Sequence, residues 1–170
     1  MTNTTAPNPT LDRLLRHMAW ANQALLARLQ EQGDPALALM APANEWSAGR
    51  ILAHLVGAAG NYANRLEGLP RAAPTDGTAS FAELPALAAR LAAIDARLRA
   101  AAAQPEGPAM FAGGENSAPR STVIGQAIHH ATEHRAQIAG ALSTNGNNAI
   151  DLDAIDLWEF TDFEENAAGT

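Results

Sequence analysis

Four stretches of the chain repeat apolar residues at helical spacing, and segments rich in glycine and proline separate them. The first runs from about Leu11 to Gln32, with Leu11, Leu14, Leu15, Met18, Leu25, Leu26 and Leu29 on its stripe. Gly33, Asp34 and Pro35 stop it. Ser47 is the expected N-cap of a second helix reaching Leu66, whose inner stripe is Ile51, Leu55, Tyr62 and Leu66. A third helix is expected over residues 80–103, carrying Leu84, Leu87, Leu91, Ile94 and Leu98, with Pro85 in its first turns, where a missing N–H is tolerated. The fourth runs from Arg120 to Ser143 and ends at Asn145 and Gly146. Each is ~30 Å long at about 1.5 Å per residue. Four helices of matched length, none apolar all round, predict an all-α four-helix bundle around one shared core.

The remaining segments fit that plan. Residues 1–10 are polar with two prolines and read as a flexible N-terminal tail; residues 11–165 read as a single domain. The tail has neither a basic region nor an apolar core, so a signal peptide is not expected. Residues 104–118 form a long loop rich in glycine and proline, and Ile155 to Phe163 reads as a short terminal helical turn holding Leu157, Trp158 and Phe160. Nearly a quarter of the chain is alanine, the best helix former and a poor strand former. No β-alternation, internal repeat or phosphate-binding glycine loop stands out.

Composition removes several function classes. With no cysteine there is no disulfide scaffold, thiolate zinc site or cysteine nucleophile. The net charge of -7 repels phosphate backbones, so nucleic-acid binding is not expected. No apolar run is long enough to cross a membrane, and a cytoplasmic protein is the default expectation.

The five histidines carry the chemistry. His130 and His134 are four apart on the stripe Val123, Ala127, His130, His134, Ile138 and Ala141, so one helix offers two imidazoles from one face. His54 lies between Ile51 and Ala58 on the inward face of the second helix. These three read either as hydrogen-bonded core residues or as a facial site for a divalent transition metal such as zinc, nickel, iron or manganese, with positions left open for water or substrate. His129 reads as a solvent-facing partner of Glu133, and His17 as a half-buried residue or a cavity wall. In the segment His130-Ala131-Thr132-Glu133-His134 the glutamate stands in the wrong slot for the zinc-protease motif, and no Ser-His-Asp set or catalytic carboxylate pair is evident. Catalytic residues are therefore not assigned. Trp20, Trp46 and Trp158 read as core or rim packing.

The run His130-Ala131-Thr132-Glu133-His134-Arg135-Ala136-Gln137-Ile138 resembles the His-x-x-x-His-Arg-Gly-Gln signature of the DinB-like (YfiT-like) metalloenzymes. Trp20-Ala21-Asn22, Ala53-His54-Leu55-Val56 and the closing Asp156-Leu157-Trp158 are similar to further motifs of that family, in the same order. Ala136 departs from the common glycine, and His129 occupies a slot that is often asparagine. The resemblance implies an up-down-down-up bundle with one long crossover. It implies a metal held by His54, His130 and His134, and pairing as a homodimer. Relatives include transferases that use low-molecular-weight thiols and thiol-dependent isomerases. The expected function is thus metal-dependent chemistry on a small molecule, with a thiol cosubstrate. The alternatives are a metal-dependent hydrolase and a non-catalytic metal-binding stress-response protein. A pocket is expected at the metal, walled by His17 or Trp20 and partly covered by loop 104–118.

Overall fold

The computed structural model describes residues 8–42, 45–73 and 77–169. Residues 1–7, most of the expected tail, lie outside the described residues. Helix α1 (Pro9–Gln32) begins two residues before the expected start, because the Asn8 side chain accepts hydrogen bonds from the N–H groups of Thr10 and Leu11 and Pro9 takes the first helical position. A four-residue helix, α2 (Asp34–Leu37), follows at the stop signal. Helix α3 (Ala48–Glu67) is capped by Ser47, which accepts from Arg50 N–H at 3.2 Å, and ends on Gly68 in the left-handed conformation. Helix α4 (Leu84–Ala102) is introduced by a single 3-10 turn, Phe81–Glu83, with Ser80 and Glu83 forming a capping box. Helix α5 (Arg120–Thr144) and a terminal helix, α6 (Leu157–Ala168), complete the chain.

The four long helices make the bundle. Helix α1 packs on α4 and α5, and α3 packs on α5 and α4. Their directions follow from the residue pairs they bring together. Asp12 meets Arg99 while Asn22 meets Asp95, so α1 and α4 are antiparallel. Arg120 reaches the Leu66 carbonyl while His54 meets His130, so α3 and α5 are antiparallel. Gly60 lies by Ile94, and Glu67 binds Arg97, which makes α3 and α4 parallel, and residues 68–83 the crossover between them. The core joins Leu15, Leu25 and Leu29 of α1, Ile51, Leu52 and Leu55 of α3, Leu91 and Leu98 of α4, and Ile138 and Leu142 of α5. Ala21, Ala48, Ala63 and Ala141 are fully buried among them, so alanine serves close helix contact.

Two connections hold this frame in register. The crossover passes directly over the start of α3, where Ala79 N–H donates to the Gly49 carbonyl at 3.0 Å. A methyl on Gly49 would stand 2.7 Å from the Ala79 carbonyl oxygen, so only glycine fits there. Loop 104–118 folds into a small hairpin of two-residue strands, β1 (Pro108–Ala109) and β2 (Ala118–Pro119). Its Phe111 is buried, and Ala112 N–H donates to the Leu69 carbonyl just beyond the end of α3. Helix α6 lies on α1 through Phe160, its one buried residue, with Arg13 and Arg16 paired to Glu164. No helix among the described residues is long and apolar enough to cross a membrane.

Candidate metal centre

The antiparallel packing of α3 on α5 sets His54 level with His130 and His134. The Nε2 atom of His130 lies 3.2 Å from His54 Nε2 and 2.9 Å from His134 Nε2. One ligand nitrogen from each of the three residues lies within 4.8 Å of the others, and no further His, Asp or Glu among the described residues joins the group. His130 and His134 are buried; His54 is half-buried.

An imidazole nitrogen has a single in-plane site, either a proton or a lone pair. His130 Nε2 faces two other nitrogens at hydrogen-bond distance and can satisfy only one. A cation shared by three lone pairs satisfies all of them. Two imidazole nitrogens bound at about 2.1 Å stand ~3.0 Å apart at a right angle and ~3.4 Å apart at the tetrahedral angle. The observed 2.9 and 3.2 Å are close to these values. The donor set therefore fits a divalent transition metal.

The surroundings favour the neutral forms of His54 and His130. Burial lowers the His130 pKa to about 4, with the charges His134 and His54 would carry adding to the effect. Burial also lowers that of His54, followed by His134 and the Arg50 guanidinium. Neutral imidazoles are the form that binds metal. His134 Nδ1 and Gln137 Oε1 are 2.7 Å apart; the amide oxygen accepts the Nδ1 proton and so turns the Nε2 lone pair to the site. Trp46 stands edge-on to His54 at 5.2 Å, and Tyr62 edge-on to His130 at 5.5 Å. Arg50, exposed at the start of α3, lays its guanidinium over the Trp46 ring at 4.5 Å.

The sequence of the chain settles its kinship. The sequence model of the DinB family matches residues 1–166. The chain belongs to the DinB family. No curated protein and no solved structure matches this DinB protein.

Several expected neighbours of the DinB site lie elsewhere. His17 is half-buried beneath α6: its Nε2 meets the Ile155 carbonyl at 2.9 Å, and its ring packs with Trp20 and Phe160. Neither His17 nor Trp20 walls the site, because residues 18 and 22 turn inward on α1 and residues 17 and 20 turn towards α6. Loop 104–118 packs at the far end of α3, next to Leu69, and so does not cover the histidines. His129 and Glu133 are exposed, and Trp158 is 81% exposed. A cavity of about 10 Å³ lies against His130.

A buried polar chain beside the site was not anticipated. Arg135 Nη1 donates to Asn22 Oδ1 at 2.8 Å, and Asn22 Nδ2 donates to Asp95 Oδ2 at 3.1 Å. All three residues are at least 96% buried, and they tie α5, α1 and α4 together. Arg135 Nη2 also donates to Thr132 Oγ1. Burial raises the Asp95 carboxyl to about 6 against the opposing pull of Asn22 and Arg135.

Proposed function

We propose that this protein is a divalent-metal-dependent enzyme acting on a small molecule, and that the reaction is transfer of a low-molecular-weight thiol to an electrophile. The reading rests on the three Nε2 atoms converging from α3 and α5 with no fourth protein ligand among the described residues. Structural zinc sites are closed by four protein ligands, whereas catalytic sites keep a position open. That difference favours the enzyme over a non-catalytic metal-binding protein.

When bound, a divalent ion held by neutral ligands supplies uncancelled positive charge that lowers the pKa of a thiol or water. The chain's own groups define the rest. His54, His130 and His134 hold the ion, and Gln137 fixes the tautomer of His134. Buried Ile51, Leu55 and Ala127 back the ligands with apolar side chains. Trp46 and Arg50 border the outer side, where an aromatic edge and a guanidinium suit an anionic small molecule. Cytoplasmic location, where such thiols are reduced, and assembly as a homodimer belong to the same proposal.

The test starts with metal analysis of protein purified without a histidine tag. The metal-loaded protein is then assayed with several thiols and a general electrophile. Thiol-dependent turnover that disappears on chelation is expected. No thiol-dependent turnover with zinc, nickel, iron or manganese overturns the transferase reading, and release of product without thiol supports the hydrolase instead.

A further inference from the structure

The carboxylate of Asp95 is 3% exposed, and its Oδ1 has no hydrogen-bond partner among the described residues. An unpartnered carboxylate oxygen in a helix bundle costs several times what a neutral hydrogen bond contributes, so its position calls for a physical reason. The reason lies beside it. The about 10 Å³ cavity is walled by apolar residues such as Leu55 and Leu91, and its polar lining comes from Asp95, Asn22, Tyr62 and His130. A space of roughly 10–15 Å³ with two or more polar partners holds one water.

Asp95 and His130 thus both line a space the size of one water. The two buried ligands on α5 differ in their support. His134 has Gln137 on Nδ1, which leaves Nε2 to face the site. His130 makes its hydrogen-bond contacts through Nε2 alone among the described residues. Metal-binding histidines almost always donate their other ring N–H to a carboxylate, a carbonyl or a water, which fixes the tautomer.

We propose that the cavity binds one water that donates to Asp95 Oδ1 and accepts the Nδ1 proton of His130, making Asp95 the positioning residue for this ligand. The inference rests on reading His54, His130 and His134 as a metal site. Its assignment of functions is specific. Gln137 orients His134 directly, from the same helix. Asp95 orients His130 from α4, through the water, and Asn22 in turn holds the carboxylate by Oδ2 so that Oδ1 stays turned to the cavity. Helix α4 contributes no ligand, yet it determines which nitrogen of His130 carries the proton.

Asp95→Asn provides the test because it keeps the shape of the side chain and changes its polarity. Asn22 Nδ2 still requires an acceptor, so the new amide turns its oxygen to Asn22 and its NH₂ to the cavity. The water then accepts from residue 95 and donates to His130 Nδ1, which moves the proton of His130 to Nε2. The tautomer is read in the metal-free protein by two-bond nitrogen–proton NMR, and zinc affinity by competition with a chelating dye. The expected result is a larger share of the Nδ1–H form in wild type than in the variant, and zinc binding about 10–100-fold weaker in the variant. Ala59→Val, which fills the cavity with Asp95 in place, is the second variant should Asp95→Asn fail to fold. It is expected to lose the same preference for Nδ1–H. An unchanged tautomer and unchanged zinc affinity in either folded variant overturn the proposal. If the wild type binds no divalent metal, the metal reading fails by itself, while the tautomer measurement still decides the water bridge.

Discussion

Replacing Asn22 by leucine isolates the energy of the buried polar chain. Leucine has about the same length and branching, so it refills the space and keeps water out. Two hydrogen bonds go: Arg135 Nη1 to Asn22 Oδ1, and Asn22 Nδ2 to Asp95 Oδ2. Arg135 retains Thr132, whereas Asp95 loses the partner of its Oδ2 and its Oδ1 has none among the described residues. A hydrogen bond to a charged group contributes about 1.5–3 kcal/mol. The guanidinium therefore loses about 1.5–3 kcal/mol. The carboxyl has an escape, because its pKa is already about 6. Taking up a proton at neutral pH costs about 1.4 kcal/mol, and the lost neutral hydrogen bond adds about 0.5–1.5 kcal/mol. The sum is about 3–6 kcal/mol, or a melting point lower by very roughly 10 °C for a domain of this size. Urea unfolding followed by far-UV circular dichroism measures it. The loss should shrink by about 1 kcal/mol near pH 5, where Asp95 carries its proton in both proteins. A loss under about 1 kcal/mol, or one equal at both pH values, would refute the assignment of this chain as a charged, coupled unit.

Three further outcomes follow from the same structure. Because the folded pKa of Asp95 is raised to about 6, the native state binds this proton more tightly than the unfolded chain does. Its contribution is full below about pH 4 and is lost as pH rises through 6. The stability of wild type minus that of Asp95→Asn should therefore fall by about 2 kcal/mol between roughly pH 4 and pH 7, and a flat difference would contradict it. Gly49→Ala should lower stability by about 1–3 kcal/mol in spite of alanine's helix propensity, since the added methyl meets the Ala79 carbonyl; Gly140→Ala, which meets nothing within 4 Å, should raise it by roughly 0.5–1 kcal/mol. His130→Ala should abolish metal binding, measured by elemental analysis, while far-UV circular dichroism still shows a helical protein, because the core is drawn from all four long helices. Loss of helicity would point to a structural metal instead.

The helices and the three ligands were legible in the sequence because both signals are local. Apolar residues three and four apart mark a helix face, and His130 and His134 mark one turn of it. His54 was read from its place between Ile51 and Ala58 on a separate helix, and the DinB resemblance implied the same three residues. The polar chain was not legible, since Asn22 and Asp95 lie 73 residues apart and Asn22 and Arg135 lie 113 apart; periodicity within one helix does not say which helices meet. The same gap misplaced His17 and Trp20. They share α1 with Met18 and Asn22, but a step of one residue is about 100° around a helix, enough to turn them from the cavity to α6. The hairpin in loop 104–118 has strands of two residues, too short for any alternation to show.

The order in which the helices pack has a consequence for how the protein is made. In an up-down-up-down bundle each helix can close on the one just before it. Here α1 waits for α4, and α3 waits for α5, with pairings across 54 to 87 residues of chain. Closing such long loops costs entropy before any contact compensates it, so folding should be slower than in a bundle of sequential hairpins. On the ribosome, His54 emerges 76 residues ahead of His130. At a synthesis rate of about 5–20 residues per second that interval is roughly 4–15 s. During it the nascent chain holds one of the three histidines, so the candidate site is incomplete until α5 has been synthesised.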